Sequence, residues 1–237
     1  MILDAARAAA GHLFSAPFRG VFFKTLGLTL LALIAVWFGL TQLFEWLALP
    51  WLQALVPDMP DWTGWAGTLA AILAGIGLAL GLAFLIAPVT AIVAGFFLDD
   101  VAELVEKADF PSDPPGRPVP AVRSIVLSLK FFGVVVLANL LALILLLIPG
   151  VNIGAFFLVN GYLIGREFFE FAGMRFRPEE DAKQVRRRNA GTVFLAGLVI
   201  AGFMAVPLLN LLTPLFACAM MVHLHKAITA KEMRPVG

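Results

Sequence analysis

The chain has 237 residues, 61% hydrophobic and 14% charged, with a mean hydropathy of +0.94. Soluble domains average about 45–50% apolar and about 25% charged residues, so this composition excludes an ordinary globular domain and indicates an integral membrane protein. The net charge of +1 carries no nucleic-acid signal and no nucleic-acid partner is expected, while the single cysteine, Cys218, excludes an intrachain disulfide.

Residues 1–24 hold helix formers from Ala5 to Ala10 and read as a cytoplasmic, amphipathic segment. Ser15 ahead of Pro17 reads as a helix N-cap followed by an early helical proline. Gly11, His12 and Pro17 interrupt the apolar run, so it does not read as a cleaved signal peptide. Residues 25–44 form an apolar run of the length a helix needs to cross a bilayer core about 30 Å thick. Residues 45–65 carry Glu45, Asp58 and Asp61, no basic residue, and Trp46, Trp51, Trp62 and Trp65. Tryptophan favours the membrane interface, so this segment reads as a periplasmic loop. Residues 66–107 read as a long transmembrane helix. Its apolar part, 66–98, reaches about 50 Å at about 1.5 Å per residue, and its end, from Phe96 to Lys107, is amphipathic and acidic. Residues 108–130, with prolines at 111, 114, 115, 118 and 120, read as a cytoplasmic linker.

Two apolar blocks follow, 131–165 and 190–225, each broken at its centre: Pro149-Gly150-Val151-Asn152 in one, Pro207-Leu208-Leu209-Asn210 in the other. Proline interrupts a helix and asparagine caps the next, so each block reads as a helical hairpin. Between them lies a basic cytoplasmic segment, 166–189, and residues 226–237 form a cytoplasmic tail. All 17 Lys and Arg residues fall between the apolar stretches. Positive charge stays on the cytoplasmic side during insertion, so both termini are expected there. Two arrangements satisfy this charge parity: six thin spans, or two full spans with two re-entrant hairpins that turn within the bilayer. The hairpin legs are short against the bilayer core, and paired broken segments mark transport sites, which favours the second arrangement.

Little in the sequence carries catalytic chemistry. There is no nucleophile–base set, Walker loop or clustered metal ligands, so neither an enzyme nor a cofactor or metal is expected. His223 and His225 lie two apart and point to different helix faces. Gly77-x-x-x-Gly81 and Gly161-x-x-x-Gly165 suit close helix packing. Arg166, Glu167 and Glu170 form a charged knot that reads either as a gate near the cytoplasmic mouth or as interfacial salt bridging. Asn139, Asn152, Asn160 and Asn210 either line a pathway or bond between helices. Arg19 and Lys24 by themselves are consistent with anchors to lipid headgroups.

Several stretches, in order and nearly end to end, resemble the CysZ sulfate permease family of bacterial inner-membrane proteins. They are Leu13-Phe14-Ser15-Ala16-Pro17, then Ala87-Pro88 with the acidic segment Asp99 to Glu106, then Leu147-Ile148-Pro149-Gly150-Val151-Asn152 with Tyr162 and Arg166 to Phe171, and Val206 to Leu211 with Pro214 and Ala217-Cys218-Ala219. The resemblance implies an all-α fold of two long transmembrane helices and two hemi-penetrating hairpins, assembled as a homo-oligomer. It implies sulfate entry without ATP for cysteine biosynthesis. It places sulfate near the start of the first long helix, where the family has glycine and paired arginines. The matching stretch here holds Ser15, Phe18, Arg19 and Gly20, with Arg19 alone. Backbone N–H groups at a helix start and an arginine fork suit an oxyanion. Pathway or gating candidates are Asn152, Arg166, Glu167, Glu170 and Asn210. Another small solute, or a non-transporting scaffold role, are the alternatives.

Overall fold

The computed structural model describes residues 1–48, 50, 65–120, 126, 151–210 and 212–232. Its elements are all helical: α1 (Ile2–Leu13), α2 (Ala16–Leu43) with a π-turn at Phe44–Ala48, α3 (Trp65–Asp109), α4 (Val151–Met174), α5 (Glu179–Arg188), α6 (Ala190–Met204), the four-residue α7 (Pro207–Asn210) and α8 (Thr213–Glu232). The Pro149 turn, Asn139 and the first leg of the 131–165 block lie outside the described residues, as does most of the 45–65 segment.

The chain divides into two compact units, one of residues 1–24 and 94–237, the other of residues 25–93. The larger unit is built around α8. Every side chain from Leu215 to Val222 is buried, and so are Leu224, His225 and Ile228. A helix that is apolar on all sides is stable only when neighbours cover all of it. Here α1, α4 and α6 do so. The N-terminal helix contributes Ala5, Ala9 and Leu13, four apart and therefore on one stripe. Phe203 and Phe216 stack at 4.2 Å between α6 and α8.

Helices α4 and α6 meet through glycine. A Cβ on Gly197 would fall 1.9 Å from the carbonyl oxygen of Gly161, and one on Gly165 would fall 2.7 Å from that of Val193. Only hydrogen at these positions lets the two backbones approach so closely. The Gly161-x-x-x-Gly165 spacing thus serves packing. In the smaller unit a Cβ on Gly81 would lie 4.0 Å from Leu40, while nothing among the described residues comes within 4 Å of a Cβ on Gly77.

Local signals explain the boundaries. The α3 helix ends at Asp109, one residue before a segment whose prolines bar helix continuation. In α5, Glu179, Glu180 and Asp181 occupy the first turn and Arg186, Arg187 and Arg188 the last, matching the helix dipole at both ends. The α6 helix stops at Met204, and Pro207 opens α7. Asn210 closes α7 and does not cap α8, which starts at Thr213, whose hydroxyl bonds the Leu209 carbonyl at 3.5 Å. At about 1.5 Å per residue α4 is about 36 Å long, because it runs on past Gly165 through the charged residues to Met174.

In the smaller unit many of the described apolar side chains face outward. Phe38, Leu31, Leu80 and Leu73 are all exposed. The stretch Ala16–Leu47 is long and apolar enough to cross a membrane, with 11% of its apolar window buried within the protein.

Candidate functional site

The residues at the start of α2 are divided in their roles. Phe18 is fully buried, stacked on His12 at 5.3 Å, and belongs to the core of the larger unit. Arg19 and Gly20 are exposed, and Ser15 is half-buried. Ser15 precedes the first helical residue, and its carbonyl accepts the Arg19 N–H at 3.0 Å, closing the first turn. The N–H of Arg19 is thereby occupied. What this turn offers an anion is the guanidinium of Arg19 together with the N–H groups of the first turn ahead of it. Lys24, one turn beyond Gly20, is 3.9 Å from Asp100 and lies over the Phe97 ring at 5.1 Å.

The charged residues in the second half of α4 include a buried ion pair. Glu170 is buried, 2.6 Å from Arg186 of α5 and 3.5 Å from Arg166 one turn back. It joins α4 to α5. Glu167 is partly buried, in the segment beyond the 131–165 block. Burial first, and then the neighbouring charge of Glu170, push its carboxyl from the usual 4.5 up to about 7. Asn152 is the second residue of α4, and Asn210 is exposed at the end of α7. The described residues therefore bring Arg166 and Glu170 together.

A second polar cluster joins residues far apart in sequence. Arg175 is buried just beyond the end of α4. Its Nε donates to Glu106 Oε1 at 2.7 Å, its Nη2 to Glu106 Oε2 at 3.2 Å, and its Nη1 to Asp99. Asp99 and Glu106 are seven residues apart, two turns along one face of α3. The Gly116 N–H donates to Glu106 Oε2 at 2.9 Å, and the Arg117 N–H to the Arg175 carbonyl at 2.8 Å. A Cβ on Gly116 would lie 2.8 Å from Glu106 Oε1, so only glycine lets the proline-rich segment close over the pair. The planar guanidinium fork suits two carboxylates at once. Sequence reading assigned Arg175 to the general pool of cytoplasmic positive charge. Asp99 and Glu106, seven apart on one face of an amphipathic helix end, were the one signal for a buried partner.

The third cluster unites α1, α3 and α8. His12 Nε2 lies 2.5 Å from Asp109 Oδ2, and His223 Nε2 lies 3.0 Å from the same oxygen. Two residues on, His225 turns away, packed between Phe169 and Phe176 at 5.6 Å from each.

These features define a class first: an all-helical protein with a polar-stapled bundle and a helix long and apolar enough to cross a bilayer. Residues 5–214 match the sulfate transporter CysZ/etoposide-induced protein 2.4 family, and the chain belongs to that family of membrane-associated, transporter-type proteins. Comparison with curated proteins returns no match.

Proposed function

We propose that the protein is a sulfate permease of the bacterial inner membrane, moving sulfate into the cytoplasm without ATP, for cysteine biosynthesis. The observation that carries this reading is membership of the CysZ-type family over residues 5–214. The outward-facing apolar surface of α2 supports a lipid environment, since large exposed apolar patches mark a non-aqueous partner. The absence of Lys and Arg between Lys24 and Lys107 supports two crossings, by α2 and by α3, with both termini cytoplasmic. The 131–165 and 190–225 blocks are read as re-entrant hairpins and the whole as a homo-oligomer.

In this reading sulfate meets the first turn of α2 at Ser15, Phe18, Arg19 and Gly20. Burial of Phe18 fixes that turn against the core, and Arg19 stays free to reach an anion. A doubly charged anion enters a bilayer only where donors replace its water. Asn152, Arg166, Glu167, Glu170 and Asn210 are the pathway candidates, with the Glu170–Arg186 pair holding the cytoplasmic end closed to lipid. A second reading, a channel for another small anion, is favoured by one observation: Arg19 stands alone, and one guanidinium suits a singly charged anion as well as sulfate.

Radiolabelled sulfate flux into proteoliposomes tests both. Sulfate uptake without ATP, reduced in Arg19→Ala with oligomer size unchanged, is the expected result. Flux of monovalent anions without sulfate supports the second reading. No anion flux at all overturns both in favour of a scaffold.

A further inference from the structure

We propose that His12, Asp109 and His223 form a binding site for one zinc-class divalent cation, which clamps the N-terminal helix to the end of α3 and to α8. The donor atoms His12 Nε2, Asp109 Oδ2 and His223 Nε2 all lie within 4.8 Å of one another. Tetrahedral zinc with bonds of about 2.0–2.2 Å sets its ligand atoms about 3.3 Å apart. The observed separations of 2.5 Å and 3.0 Å to the shared carboxylate oxygen are both shorter than that edge, so the carboxylate shifts outward by less than about 1 Å to admit the ion. Two imidazoles and one carboxylate are borderline donors, suited to zinc and its neighbours and not to calcium or magnesium, which take oxygen ligands.

The orientation of His223 points the same way. Its ring is 10% exposed, and its Nε2 is buried and 3.0 Å from Asp109, yet it makes no hydrogen bond. A buried ring nitrogen beside a carboxylate but outside hydrogen-bond geometry is a ligand atom already in place, and a cation shared with the carboxylate would satisfy both. The two imidazoles lie nearly parallel, 18° apart with centroids at 6.0 Å, so both bring Nε2 to the same oxygen. Phe18 stacks on His12 at 5.3 Å, and Phe110 packs against His223 at 5.3 Å, holding both rings in place. Asp109 is 34% exposed, leaving an open side for a water as fourth ligand. The ligands are drawn from three helices, with His12 and Asp109 separated by 97 positions. A cation here closes long loops and fixes α1, and through the Phe18–His12 stack it fixes the start of α2.

The test uses the full chain in detergent, free of any histidine tag and stripped with a chelator. Zinc is titrated against a fluorescent zinc indicator, and thermal unfolding is followed with and without zinc. One zinc per chain and a higher unfolding temperature with zinc are expected. His12→Gln, Asp109→Asn and His223→Gln should each weaken binding by more than about 100-fold, beyond what loss of a supporting hydrogen bond costs. Glu180→Gln, on the exposed face of α5, should bind as the unaltered chain does. Cobalt added to the unaltered protein should give the intense visible bands of a four-coordinate site, a readout that needs no variant to fold. The proposal is overturned by a folded protein that takes up no stoichiometric zinc, by a cobalt spectrum of the six-coordinate aqueous ion alone, or by undiminished binding in the His12 and His223 variants. Sulfate flux plays no part in these readouts, so they stand or fall apart from the transport reading.

Discussion

In residues 25–93, Leu31 and Phe38 of α2 and Leu80 of α3 are more than 60% exposed, whereas in the unit of residues 1–24 and 94–237 the side chains of α8 from Ala217 to Val222 are fully buried. The named ion-paired groups divide the same way. Arg175, Glu106, Glu170, His12 and His223 are all gathered in the larger unit, and every ion pair named above lies within it. One part of the chain is written to meet an apolar solvent, the other to meet itself. The difference teaches that a uniformly high hydropathy conceals two energetics. The first part presents an apolar surface suited to lipid, and the second is held by packing and paired charge.

The largest effect should come from the buried fork. Arg175→Met leaves Glu106 buried, and Asp99 half-buried, without their cation, a loss of about 3–5 kcal/mol. A thermal scan in detergent, read with a fluorophore that detects the larger unit, should show early unfolding, and an unchanged scan would break the comparison on its packed side. Next is Ile34→Arg, midway along the exposed face of α2. It should cost about 2.5–3.5 kcal/mol in membrane insertion and little in detergent stability. Membrane fractionation beside the same thermal scan separates the two, and a loss of stability with normal insertion would reverse the assignment. Gly197→Ala places a methyl against the Gly161 backbone and should cost about 1–3 kcal/mol by prying α4 from α6. The same change at Gly77, where no described neighbour approaches, should leave stability nearly as it was.

The smallest expected effect is a pH dependence. The Glu167 carboxyl is raised from 4.5 to about 7 in the folded chain. Between those values the folded protein holds a proton that the unfolded chain has released. Stability from this group is therefore present below about pH 4.5, declines as pH rises, and levels off above about pH 7. For a partly buried carboxyl the loss is about 1–2 kcal/mol. Glu167→Gln should flatten that slope and raise the unfolding temperature at pH 8. A slope that survives the substitution would assign the titration to another group.

The all-helical class, a helix start after Ser15 and the helix break before Pro207 were legible because each rests on local chemistry. A run of apolar residues and a proline act on their own few turns of chain, whatever surrounds them. The Gly161–Gly165 spacing was legible as a packing motif, since small residues four apart make a groove on any helix. The identity of the partner groove at Gly197 was not.

At the candidate sites the sequence named Arg166, Glu167 and Glu170 together because they share one helix. It did not find Arg186 as the partner of Glu170, or Arg175 as that of Glu106. The apolar character, the position of the apolar helix from Ala16 and the confinement of basic residues to stretches outside the apolar runs were determined by the sequence itself, for hydropathy and charge need no fold to act. Which carboxylates became buried, which glycines touched and which two histidines met across Asp109 were decided only by tertiary structure. Those outcomes depend on contacts between helices up to 100 residues or more apart, as His12, Asp109 and His223 are, and no local pattern encodes the geometry of such a meeting.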